Sequence, residues 1–202
     1  RPTHEQTQPW FEWTFREYGL PDAIRTDNGS PFASVSLGGL SRLSVWFIKL
    51  GIMPERIDSG HPEQNPRHER MHRTLKEAVA IPPKSNIYEQ QKAFENFKYE
   101  FNYERPHESL GQKPPASVFH PSNRSYPLRV PKVEYEGDVV VKRIKHSGEM
   151  YWKGKWVYVA QALANEPIAL QQIDDLLWEV RFSFLPLGML NELTGSVVPL
   201  KT

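Results

Sequence analysis

Apolar positions along this chain change their spacing several times, and each change marks an element. Phe11, Phe15 and Tyr18 fall on one face of a helix closed by Gly19 and Pro21. Pro9 suits only the first turn of such a helix, so its start is expected near Thr7 or Gln8. Residues 23–26 read as a short strand that runs into Asp27 and a Gly-Pro turn. A helix is expected over 41–50, with Leu40, Leu43, Phe47 and Leu50 inward and Gly51 as its cap. Residues 52–57 follow as a short strand, placed at a sheet edge by Pro54. Over 63–77 the helical period puts Glu69, Arg73 and Lys76 on one stripe and Met71, Leu75 and Ala78 roughly opposite. After the Pro82-Pro83 break, Ser85 is the expected N-cap of a helix reaching Asn102, with Ile87, Phe94, Phe97 and Phe101 as its core face.

Beyond Phe119 the pattern shifts. Pro121, Pro127 and Pro131 with Arg124, Arg129 and Lys132 give 120–133 the composition of an extended basic linker. Short β-rich runs then recur at 139–145, 151–153, 156–159, 168–170, 178–182 and 187–190, separated by turn dipeptides, in the cadence of a small β-barrel over 134–202. Residues 142–155 hold Lys142, Arg143, Lys145, Lys153 and Lys155 against Glu149 alone, with Tyr151, Trp152 and Trp156 interleaved. Such a hairpin is either a surface for nucleic-acid backbone or an edge that lysines protect from aggregation.

Composition narrows the classes. At 202 residues and 39% hydrophobic content, one large domain or two small ones can form a core. With 25 Lys and Arg against 24 Asp and Glu the net charge is +1, so any nucleic-acid surface depends on where charges are placed. The chain has no cysteine, which excludes disulfides, thiolate zinc sites and cysteine nucleophiles. No apolar run has the length of a membrane span and no signal peptide begins the sequence, so a cytoplasmic location and no membrane partner are expected.

A carboxylate followed by cations at successive turns of one face suits a divalent metal held beside the phosphates it activates. The plain alternative is a solvated helix face with an ordinary Glu69 to Arg73 pair. An Asp at the carboxyl end of a strand, as Asp27 is, stands where α/β sheets bind ligands, although Asp-Asn-Gly also makes a good turn by itself. Three stretches carry a more specific signal: Thr-Asp27-Asn28-Gly-Ser-Pro-Phe, Asn65-Pro-Arg-His-Glu69-Arg70-Met-His72-Arg73-Thr-Leu-Lys76, and Tyr103-Glu-Arg-Pro-His107-Glu-Ser-Leu-Gly-Gln-Lys-Pro-Pro. In this order they resemble the bacterial insertion-sequence transposases with a retroviral-integrase-type (DDE) catalytic core.

That resemblance implies an α/β fold class: a partial RNase H-like integrase core over 1–119, then the 120–133 linker, then an SH3-like β-barrel over 134–202. It implies DNA cleavage and strand transfer by two Mg2+ ions between three carboxylates, of which Asp27 and Glu69 are the catalytic and metal-binding pair here. Arg70, His72, Arg73 and Lys76 would contact DNA, joined by Lys142, Arg143, Lys145, Lys153 and Lys155 of the barrel, while Asn28 and Asn65 orient the loops. Partners would be transposon ends and target DNA, bound by a homo-oligomer. In the family resembled, a strand meander with the first catalytic Asp precedes the first helix; here Glu5, Glu12, Glu17 and Asp22 are the only carboxylates ahead of Asp27, so an N-terminally truncated chain is expected. Pro66 also departs from the Gly that many members carry after the Asn, and either opens the helix or stiffens the loop. A non-catalytic DNA-binding remnant and an RNase H-like nuclease are the competing readings. His61, His68 and His107 are read as structural, and the same structural reading stands beside DNA contact for His72.

Overall fold

The computed structural model describes residues 3–26, 29, 31–32, 37–57 and 66–200, with side chains from 69 onward in the last stretch. Contacts divide the chain into two units, Arg1–Ser59 with Ser122–Thr202, and Gly60–Pro121.

In the first unit, helix α1 spans His4–Tyr18 and begins earlier than Pro9 suggested. Thr3 closes a capping box: its backbone N–H donates to Gln6 Oε1 at 3.1 Å, and the Gln6 N–H donates to Thr3 Oγ1 at 3.4 Å. The two bonds satisfy end groups of the helix and offset the one ladder bond that Pro9 cannot make in the interior. Gly19 ends the helix at φ +80°, and a Cβ there would stand 2.7 Å from the Ser122 carbonyl oxygen.

Strand β1 (Ala23–Thr26) pairs in parallel with β2 (Met53–Arg56), and α2 (Arg42–Lys49) connects them. This is one right-sized β-α-β unit of the expected α/β class. Ser41 and Ser44 cap α2 reciprocally, and Gly51 at φ +71° turns the chain into β2. Leu43, Trp46 and Phe47 of α2 pack with Phe15, Leu20, Leu50 and Ile52 in a core rich in aromatic rings. Phe15 and Trp46 stack with centroids 5.7 Å apart, and Phe11 meets Phe47 edge-on at 5.1 Å.

The opposite side of α2 faces the β-rich part of the chain. Strands β3 (Val140–Arg143), β6 (Pro167–Asp174), β7 (Leu177–Phe182), β8 (Leu185–Asn191) and β9 (Ser196–Pro199) form an antiparallel sheet in that order, and β4 (Glu149–Trp152) with β5 (Lys155–Tyr158) forms a separate hairpin. The expected runs are all present, mostly longer. Strand β9 was missed, because Val197 and Val198 alone give no alternating pattern. One core contains Ile144, Met150, Trp152, Val157, Ile168, Leu170, Val180, Phe182 and Leu190 of this region together with Leu37, Leu40, Val45 and Ile48. Helix α2 is thus buried on two faces, and Lys49 Nζ reaches Glu166 Oε1 at 2.7 Å.

Residues 120–133 are without helix or strand, and within the first unit 122–126 dock on the rest of it. The Ser122 N–H donates to the Tyr18 carbonyl at 3.1 Å and the Leu20 N–H to the Arg124 carbonyl at 2.7 Å. The Arg16 guanidinium lies 4.7 Å from the centroid of the Tyr126 ring.

Tyr135 ties the start of the β region to its sheet. Its hydroxyl donates toward the Pro167 carbonyl at 3.0 Å and accepts the Ser183 N–H at 2.9 Å. Burial pushes the phenol up to about 12. The neutral form is therefore favoured in the folded state, so its contribution is complete below the unfolded value of about 10 and is lost as pH rises through about 12. Tyr135→Phe should flatten the fall in unfolding free energy between those two pH values, measured by urea titration at a series of alkaline pH values.

In the second unit, α3 spans Pro66–Leu75 and α4 spans Ile87–Tyr99. Each runs into a wide turn closed by an i to i+5 bond, Ile81 N–H to Lys76 O at 3.1 Å and Arg105 N–H to Glu100 O at 2.8 Å. The α-helix therefore ends before the expected Asn102. Its N-cap is Asn86, not Ser85: Asn86 Oδ1 accepts from the Tyr88 and Glu89 N–H groups, each at 3.0 Å, while the Ser85 hydroxyl bonds the Glu89 carboxylate. The expected core face of α4 is another correction. None of the described residues of 66–121 is buried, and Ile87 is 73% exposed. Phe94, Phe97 and Phe101 instead line a groove of about 490 Å³ with Met71 and Leu75. Helical spacing reports a shared face, not whether something covers it.

Candidate active site and nucleic-acid surface

Glu69 lies in the first turn of α3, where the helix dipole favours a carboxylate. Glu69, Arg70, His72, Arg73 and Lys76 are all exposed. Among the described residues no ion pair ties Glu69 to Arg73, so the plain i,i+4 pair is not formed. Pro66 opens α3, which is the first of the two roles open to it. His107 packs edge-on against Phe101 with centroids 4.7 Å apart, in keeping with its structural reading.

Asp27, Asn28 and Asn65, with His61 and the side chain of His68, lie outside the described residues. What the fold does supply is the end of β1 at Thr26, immediately before Asp27 and at the carboxyl rim of the parallel pair. Thr26 stands opposite Arg56 in the register. Arg56 is a cation the sequence reading passed over, because Met-Pro-Glu-Arg carries only a strand signal. Its guanidinium donates to the Gly39 carbonyl and occupies the space a Cβ at residue 39 would need. It braces the turn before α2 at the same rim.

Mg2+ takes hard oxygen donors and keeps several waters. Glu69 fits one such ligand position, being an exposed carboxylate on a regular helix. Among the described residues no group of three His, Cys, Asp or Glu side chains comes together as a metal site.

The cations of the β region are more engaged than their spacing suggested. Lys153 Nζ bonds both Glu192 oxygens at 2.8 Å, and the Trp178 indole N–H donates to Glu192 Oε2 at 2.9 Å. The Lys153 ammonium first, then Trp178, hold Glu192 below the usual carboxylate range. Lys155 Nζ donates to the Leu193 carbonyl at 3.2 Å, and Arg143 Nη1 to the Asn165 carbonyl at 2.7 Å. Lys142 lies 5.8 Å from the Trp152 ring centroid and Lys145 lies 4.3 Å from that of Trp156. Lys153 is neutralised by its carboxylate, whereas carbonyl and ring partners leave the other four charges uncompensated.

Residues 50–115 match the family model of the integrase core domain. The integrase core match takes in β2, α3 with Glu69, Arg73 and Lys76, and α4. Two of the three sequence stretches named above fall inside it, while Asp27 and the β region lie outside. The chain is also similar to one in the solved structure described as "CryoEM structure of simian T-cell lymphotropic virus intasome in complex with PP2A regulatory subunit B56 gamma", at 18% identity and a TM-score of 0.48. That similarity covers 92% of this chain and 64% of the length of the other. Among the described residues, no helix is long and apolar enough to cross a membrane.

Proposed function

We propose that this chain is an integrase-type transposase component that acts on DNA by cleavage and strand transfer. The observation that carries the reading is the integrase core match, which contains Glu69 and its two downstream cations. In this proposal 1–119 is the RNase H-like catalytic part and 134–202 an SH3-like DNA-binding part, with a homo-oligomer assembled on transposon ends and target.

Asp27 and Glu69 would hold Mg2+, which when bound activates the attacking oxygen and stabilises the leaving one at phosphorus. Arg73 and Lys76, one and two turns beyond Glu69, would hold phosphates of the strand that passes over the carboxylate. Arg70 and His72 border the same face, and Asn28 and Asn65 would orient the loops next to the two carboxylates. A second reading, DNA binding without catalysis, is favoured by the cation-bearing β4–β5 hairpin, which needs no metal to hold a phosphate backbone.

Two measurements on the full chain separate these readings. Arg73→Ala with Lys76→Ala should weaken binding to any duplex and lower the slope of log affinity against log salt by about two. An unchanged slope returns α3 to a solvated face. Strand transfer in Mg2+ should fall at least about a hundredfold in Glu69→Gln with duplex binding retained, since a lost metal ligand removes several kcal/mol of transition-state stabilisation. Transfer at the parent level would refute the role of Glu69, and a parent chain that binds duplex but transfers nothing would leave the non-catalytic reading standing.

A further inference from the structure

We propose that the outward face of the β4–β5 hairpin is a stacking platform for unpaired nucleobases, so that the DNA this chain handles includes a single-stranded stretch. The proposal rests on the DNA reading above and assigns it a substrate form. Along the hairpin, Met150, Trp152 and Val157 point inward and are buried. The alternate positions point outward: Tyr151 stands directly opposite Trp156, and Tyr158 opposite Glu149. These three aromatic side chains are 53%, 50% and 54% exposed. The Tyr151 and Trp156 rings lie 5.2 Å apart at 59°.

A solvated hairpin face has no need of three large rings, and each leaves apolar surface in water at a cost. Charge says what covers them. Lys145 holds its ammonium 4.3 Å from the Trp156 centroid. Glu149, the one carboxylate on this face, accepts from the Ser147 hydroxyl at 2.8 Å. Rings beside an uncompensated ammonium group suit a ligand with flat π faces joined by phosphates. In a duplex, neighbouring pairs cover the base faces, so the rings can reach only bases that are unpaired.

The test compares a labelled twelve-residue oligothymidylate with a duplex of equal length, by fluorescence anisotropy on the full chain. Trp156→Ala should weaken oligothymidylate binding roughly 5- to 150-fold, the equivalent of losing one stacked base. Duplex affinity should stay within about twofold, because phosphate contacts dominate there. Trp156→Phe should retain most of the single-strand affinity, and Lys145→Ala should lower the single-strand salt slope by about 0.7 where Trp156→Ala leaves it unchanged. Equal losses on both DNAs, no loss on oligothymidylate, or a change in sedimentation that shows the face joins two copies of the chain would each overturn the platform. A parent chain that binds duplex with the expected salt slope while Trp156→Ala changes nothing refutes the platform alone. A parent chain that binds neither DNA refutes the DNA reading with it.

Discussion

Ile48→Ala is expected to destabilise the β region as well as helix α2, by about 2–5 kcal/mol. Ile48 is 1% exposed, and its side chain belongs to the core that also contains Ile168, Leu170, Phe182 and Leu190. Truncation would leave a cavity between α2 and the sheet that neither side can close without moving the other. Hydrogen exchange of the β6, β7 and β8 amides is the decisive measurement, because it reports the sheet separately from the helix. Protection in the sheet should fall along with that in α2. If the sheet amides exchange as in the parent while only α2 loosens, then 134–202 is an independent folding unit. The sequence favours that second outcome, since a run of strands after a proline-rich segment reads as a separate domain.

The difference between the two views shows what periodicity can convey. Residues 23–26, 41–50 and 52–57 were legible because caps, turns and apolar spacing agree there, and each became the expected element. The parallel pairing of β1 with β2 follows once a helix of suitable length lies between them. What spacing could not show is that Val45 and Ile48, which stand off the face of Leu43 and Phe47, face a second core. A helix buried on two sides looks in sequence much like one buried on one side with a few extra apolar residues. The opposite error occurred at α4, where Phe94, Phe97 and Phe101 form a clean stripe that stays open as one wall of a groove. At the candidate site, Glu69 and its cations were legible from a helical period plus a motif. Arg56 was not, because its place depends on the parallel register and on the close approach allowed by Gly39.

The linker arginine gives the other large effect. Arg124 reads in sequence as one of several basic residues in a proline-rich linker. In the structure its Nη2 donates to the Leu50 carbonyl at 2.7 Å and the Gly51 carbonyl at 2.9 Å, while Nη1 donates to the Pro21 carbonyl at 3.1 Å and lies 3.3 Å from Asp22 Oδ1. One planar group thus joins the exit of α1 to the exit of α2, the two turns that deliver the chain into β1 and β2. Gly51 is needed for the approach as well as for its φ of +71°, since a Cβ there would stand 2.8 Å from Arg124 Nη2. Arg124→Ala would leave the three carbonyl groups without this charged donor, and the expected loss is about 2–4 kcal/mol of unfolding free energy. Arg124→Lys should rescue little of it, because a single ammonium cannot span acceptors on two turns as the guanidinium fork does. Urea unfolding followed by tryptophan emission measures the loss, with Trp46 next to the affected turn. The same variants should leave the salt slope of DNA binding where it was. A slope lowered by about one with stability unchanged would instead make Arg124 a phosphate contact.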